Sequence, residues 1–261
     1  MIRKSHSYFL LPNRPWPLVC SLGGLNFMVS LNIFFKFRVS FNIILCFFFL
    51  TSCSFFWWFF YAKEFSFKGL NSFVLEEGIK ASMILFISSE IFFFFSFFWG
   101  YFHFFLRPGL ENGFCWPPVR VLSFDFSHVP LTNTLILLSS GVTVTFAHNL
   151  LILGWLTRFI LFLFATVSLG SVFTLFQYLE YCSSFFSLRD GNYGSSFFLL
   201  TGFHGLHVII GSIFLALSFF FRNSFLSSES NFLRFELACW YWHFVDVVWI
   251  FLFFFLYYIC Y

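Results

Sequence analysis

Charge is scarce in this sequence. Of its 261 residues, 10% are charged and 60% are hydrophobic, whereas a soluble domain carries roughly 25% charged residues. With a mean hydropathy of +0.87, that deficit excludes a soluble globular class and indicates an integral membrane protein. The net charge of +3 is spread along the chain without forming a basic patch, so nucleic acid is not an expected partner. Paired cysteine motifs are also missing: the seven Cys (20, 46, 53, 115, 182, 239 and 260) include no CxxC and sit mostly in apolar runs. They read as small buried hydrophobes, and no disulfide framework is expected. The start, Met1-Ile-Arg-Lys-Ser-His, has no apolar h-region, cleavage site or Arg-rich amphipathic pattern. Insertion without a removable presequence is therefore expected, as for a protein made inside an organelle or a bacterium.

What is abundant is apolar length. A helix needs about 20 residues to cross a bilayer, and apolar runs between charged or Pro/Gly breaks give seven such spans. Their expected limits are Trp16–Phe37, Phe41–Ala62, Ile79–Leu106, Val129–Gly154, Phe159–Cys182, Gly194–Phe221 and Leu233–Ile259. The break Arg107-Pro-Gly-Leu-Glu-Asn-Gly-Phe-Cys-Trp-Pro-Pro is a strong helix terminator. No internal repeat is visible. Phe supplies 52 residues and reads as a compositional bias toward Phe at ordinary lipid-facing positions. Nine Lys and Arg fall on the N-terminal side of the alternating spans and five on the other, which puts the N-terminus inside.

A few polar groups interrupt the spans. Glu90 lies about ten residues into the third span, and no Lys or Arg occurs from Ala81 to Leu106. A charge at that depth costs at least a few kcal/mol, so the residue is expected to face protein or water. Two readings stand: a functional carboxylate, or a protonated carboxyl hydrogen-bonded to a nearby Ser or backbone carbonyl. The last five spans add His148, Gln177, Glu180, His204, His207, Glu236, His243 and Asp246. Their cost in hydrocarbon predicts that these five helices pack together with polar stripes turned inward. His204 and His207, three apart, share a face, and Glu236, His243 and Asp246 form one stripe. No Glu-x-x-His, second intramembrane His pair or Cys/His cluster accompanies them, so hydrogen-bonding roles are favoured over metal or haem ligation. Trp58, Lys63 and Arg222, at span ends, are candidates for binding lipid headgroups, although side chains there also reach the interface by snorkelling.

Several motifs resemble subunit III of the haem–copper cytochrome c oxidases in its mitochondrial form. They run from Arg14-Pro-Trp-Pro-Leu18 through Met83-Ile-Leu-Phe-Ile-Ser-Ser-Glu90, Cys115-Trp-Pro-Pro118 and Asp190-Gly-Asn-Tyr-Gly194. The most specific are Thr201-Gly-Phe-His-Gly-Leu-His-Val-Ile-Ile-Gly211 and Trp240-Tyr-Trp-His-Phe-Val-Asp-Val-Val-Trp249. The resemblance implies an all-α fold of seven transmembrane helices, arranged as two plus five around a lipid-filled V-shaped cleft. In this chain that corresponds to a two-helix segment over 1–62, a connecting loop over 63–78 and a five-helix bundle over 79–261. It also implies a subunit of respiratory complex IV without a redox centre of its own, with haem and copper held by partner subunits. That subunit packs against catalytic subunit I, holds structural phospholipids and supports proton uptake in the mitochondrial inner membrane, with its N-terminus on the matrix side and an organelle gene as its source. Glu90 matches the carboxylate that reacts with hydrophobic carbodiimides in the family. Departures occur at Leu70-Asn71, where the family usually has His-His, at Asn149 after His148, and after Trp57-Trp58, where an acidic residue is missing. The alternatives are the equivalent subunit of a quinol oxidase, and a stand-alone proton channel or transporter, for which the inverted repeats common in transporters are not seen.

Overall fold

A computed structural model describes residues 14–67, 73–110, 113–119, 121–220 and 229–260. Among these residues there is no strand, and seven helices are long and apolar enough to cross a membrane. They are α1 (Trp16–Phe37), α2 (Phe41–Phe67), α3 (Phe73–Leu106), α4 (Val129–Ile152), α5 (Leu156–Ser183), α6 (Gly191–Phe220) and α7 (Glu229–Leu252). A π-helical turn over Phe253–Tyr258 extends α7. All seven expected spans are present. Helices α2 and α3 reach into the stretch expected to be a loop, because Lys63-Glu64 and Glu76-Glu77 are good helix formers that tolerate the water beyond a span end.

The chain forms two compact units, Met1–Ile79 and Lys80–Tyr261. In the first, Pro residues at the start of α1 suit its hydrogen-bond-free first turn. The helix ends at Arg38, held at φ 60° while its N–H donates to the Phe34 carbonyl. Gly23 lets α2 approach α1, since a Cβ there would lie 3.3 Å from the Phe49 ring. Trp16 stacks on Phe56 and Phe60 from the neighbouring helix.

The second unit is built around Trp242 of α7, which is fully buried. Three helices supply small residues to make its slot. A Cβ at Gly170 of α5 would lie 2.7 Å from the indole, and one at Gly211 of α6 would lie 3.0 Å from it. From α4, Ser140 Oγ accepts a hydrogen bond from Trp242 Nε1 at 3.0 Å. Helices in hydrocarbon gain nothing by hiding apolar surface from one another, so close packing at small residues and interhelical hydrogen bonds hold them. This slot provides both. Large side chains such as Phe92 and Leu85 of α3, Val142 of α4 and Phe164 of α5 remain exposed; such a surface would aggregate in water and suits lipid. Before α4, Asp125 accepts hydrogen bonds from the Ser127 side chain and N–H at 2.7 and 2.9 Å. Those bonds hold its carboxyl below the usual carboxylate range.

Candidate functional site

Glu90 is not partnered by its neighbouring serines. Ser88 and Ser89 turn back to donate to the Ile84 and Phe86 carbonyls of their own helix. The Glu90 carboxyl instead meets His207 of α6, with Oε2 2.9 Å from Nε2. The other ring nitrogen, Nδ1, lies 2.7 Å from the Phe203 carbonyl. A carbonyl can only accept, so Nδ1 carries a proton. One further proton then lies between Nε2 and Oε2, and the pair is neutral overall whichever atom holds it.

Aromatic rings close around this pair. The Phe94 ring centre is 5.1 Å from that of His207, and Tyr241 and Phe244 of α7 follow at 6.3 Å. Phe94 is 2% exposed while Phe92 and Phe95 face outward. The phenylalanine run is therefore not uniformly lipid-facing: its inward members shield the pair. Helical geometry was the available signal, since Phe94 lies one turn beyond Glu90 on the same face.

The other polar residues fall into separate groups. His204 diverges from His207 and is packed between Phe173 of α5 and Trp249 of α7, with ring centres 5.6 and 5.2 Å away. It is 1% exposed, and both ring nitrogens lack a hydrogen-bond partner among the described residues. Glu180 accepts a hydrogen bond from Tyr257 at 2.7 Å, and Tyr257 oxygen lies 3.4 Å from Gln177 Nε2. The π-helical turn sets this geometry at the end of α7. On the same turn Tyr101 of α3 donates to the Phe255 carbonyl at 2.9 Å. Tyr101 and Tyr257 have no sequence signal beyond their type, because the turn that aims Tyr257 departs from the 3.6-residue period. His148, Glu236 and His243 come together around a cavity of about 310 Å³ between α4 and α7. Asp246 lies just beyond them, against Gly141, where a Cβ would stand 2.9 Å from Oδ2 and 3.9 Å from the His243 ring.

Trp58 is 70% exposed on α2, whereas Arg222, Leu70-Asn71 and the side chain of Lys63 lie outside the described residues. Among the described residues, no group of three His, Cys, Asp or Glu side chains is arranged to hold a metal ion.

The sequence matches the family model for cytochrome c oxidase subunit III over residues 6–261. It is 43% identical over 253 residues to cytochrome c oxidase subunit 3 of Dugong dugon, covering 97% of each chain. It is 44% identical over 252 residues to the protein of that name from Rhipicephalus sanguineus, covering 97% of this chain and 98% of the relative. Against that of Lemur catta, identity is 42% over 253 residues, covering 97% of this chain and 92% of the relative. With a match over nearly its whole length and seven membrane-crossing helices, this chain belongs to the cytochrome c oxidase subunit III family.

Proposed function

We propose that this chain is a non-catalytic core subunit of cytochrome c oxidase, the complex that reduces O2 to water with electrons from cytochrome c. It packs against catalytic subunit I in the mitochondrial inner membrane, with its N-terminus on the matrix side. Its gene belongs to the organelle. Haem and copper reside in the partner subunits. Phospholipid fills a cleft between the first two spans and the other five, near Trp58, Lys63 and Arg222, and the subunit supports proton uptake by the complex.

Within this reading Glu90 acts as a clamp between α3 and α6. The observation that carries it is the closed pair with His207, neutral overall and covered by Phe94. A relay would need a continuing polar file, but the next contact beyond the pair is a backbone carbonyl of α6 that already accepts from His207. Purification by a tag on this chain tests the subunit role: haem-containing complex should come out with it, and recovery of the chain alone would refute the assignment. In that complex Glu90→Gln should leave proton pumping nearly intact, because an amide still hydrogen-bonds His207. A large loss of pumping with assembly unchanged would identify Glu90 as a relay, since an amide cannot exchange a proton as a carboxyl does.

A further inference from the structure

The slot around Trp242 has a polar counterpart two helical turns away. Ser140, Gly170 and Gly211 mark where α4, α5 and α6 face that indole. Successive membrane spans alternate in direction. Moving from the slot toward the π-helical turn therefore means rising numbers on α5 and α7 and falling numbers on α4 and α6. Seven residues return to nearly the same face, with a drift of about 20°, and rise about 10 Å. That step leads from Ser140 to Asn133, from Gly170 to Gln177, from Gly211 to His204 and from Trp242 to Trp249. One level of the bundle thus carries a polar side chain from each of four helices.

All four are shut off from the surface: Asn133 is 0% exposed, His204 and Trp249 1% and Gln177 5%. Yet they do not satisfy one another. Asn133 Nδ2 and Oδ1, Gln177 Oε1, both ring nitrogens of His204 and Trp249 Nε1 have no hydrogen-bond partner among the described residues. Glu180 Oε2, one turn beyond Gln177, and Asp246 Oδ1, one turn before Trp249, are unpartnered as well. Contacts tie the level together. The His204 ring centre is 5.2 Å from that of Trp249, which lies 6.0 Å from that of Tyr257. Tyr257 spends its hydrogen on Glu180, so toward Gln177 Nε2, 3.4 Å away, it can only accept. That sets the Gln177 amide and leaves Oε1 for another donor.

Polar atoms buried in a bundle core are costly unless paired, and the chemistry of this set selects the partner. Trp249 and the Asn133 NH2 are donors, the Gln177 and Asn133 oxygens are acceptors, and an imidazole with one proton supplies one of each. A cation would leave the donors unpaired, and an anion would leave the acceptors unpaired. Water donates two hydrogen bonds and accepts two, and a buried water typically makes about three. It also joins polar groups that stand on one level but beyond direct reach of one another. We propose that Asn133, Gln177, His204 and Trp249 form a buried water site, whose ordered water joins α4, α5, α6 and α7 through these four side chains.

The site depends on the packing of this bundle and not on the subunit's role in the oxidase. Trp242 supplies an internal control, being 0% exposed but already bonded to Ser140. X-ray radiolytic footprinting of the whole purified complex, read by mass spectrometry, tests the site. A buried side chain is oxidised where a water bound beside it is split to hydroxyl radical, whereas radicals from bulk solvent do not reach it. The expected result is oxidation of Trp249 with Trp242 unmodified. Gln177→Met keeps the length of the side chain, removes the acceptor and should lower Trp249 labelling severalfold. Haem absorption checks that the variant complex is assembled. Should it fail to assemble, Asn133→Leu carries the same comparison, and the contrast between the two tryptophans needs no variant. Labelling of neither tryptophan, or of both equally, would overturn the proposal. So would unchanged Trp249 labelling in the variant, or a high-resolution structure of the complex in which the four side chains bond one another with no water between.

Discussion

Helices α2 and α7 are both apolar enough to span a bilayer, yet 6% of the apolar stretch of α2 is buried and 56% of that of α7. Their polar groups follow the same division. In the α1–α2 unit, Ser21, Asn32, Thr51 and Ser52 hydrogen-bond carbonyls of their own helices. In the larger unit, side chains bond across helices: Trp242 to Ser140, Tyr257 to Glu180, Tyr181 to Thr201 and Glu90 to His207. Hydropathy alone does not separate these helices. Whether a polar side chain is short enough to satisfy itself on its own backbone, or long enough to require a neighbour, does.

The sharpest way to break this comparison is to remove the side chain most deeply inserted between helices. Trp242→Ala leaves a cavity facing α4, α5 and α6 and strips Ser140 of its donor. A loss of about 3–5 kcal/mol is expected, the range for large aromatic truncations in cores. Phe48→Ala on α2, at a site 63% exposed, should cost under about 0.5 kcal/mol. The measurement is retention of this subunit by the purified oxidase across graded detergent concentrations. Similar losses for the two variants would show that burial within the isolated chain does not rank the helices.

An intermediate effect is expected at Tyr257→Phe. The change keeps the ring but removes the hydroxyl that donates to Glu180 at 2.7 Å. Interhelical hydrogen bonds in membranes are worth about 0.6 kcal/mol on average and reach about 1.7. Leaving the carboxyl of Glu180, 2% exposed, without that donor places this variant at the upper end. Double substitution with Glu180→Leu should cost less than the two single losses combined, because both remove the same contact. Strict additivity would mean that the pair is not coupled.

The seven spans could be read from the sequence because length and hydropathy are one-dimensional properties, and a bilayer imposes them directly. Inward placement of the polar residues in the last five spans could also be anticipated from the cost of exposing them. Partner choice could not. His204 and His207 are three residues apart, yet one is enclosed by Phe173 and Trp249 and the other reaches Glu90, 117 residues away in the chain. Trp242 shows the same limit. Its place in the Trp240–Trp249 motif was visible, but its slot needs Gly170 and Gly211 from two other helices, which only the packed bundle brings together.

The smallest effect is expected where the α1–α2 unit does make a side-chain contact between helices. Ser30 is 6% exposed, and its Oγ lies 3.2 Å from Cys46 Sγ. Sulfur is a weak acceptor and a thiol a weak donor, so the contact contributes less than an oxygen–oxygen bond. Ser30→Ala removes one atom, opens little space and leaves Gly23 to hold the helices close. Its cost should stay below about 0.5 kcal/mol, under the average for interhelical hydrogen bonds in membranes. A Ser30→Ala complex that sheds the subunit as readily as Tyr257→Phe would remove the distinction between the units, because a short hydroxyl would then bind a neighbouring helix as strongly as a buried carboxyl does. A Ser30→Leu variant sharpens the same point. It should be far more damaging than Ser30→Ala, since the close approach of α1 and α2, rather than the hydrogen bond, is what the small side chain provides.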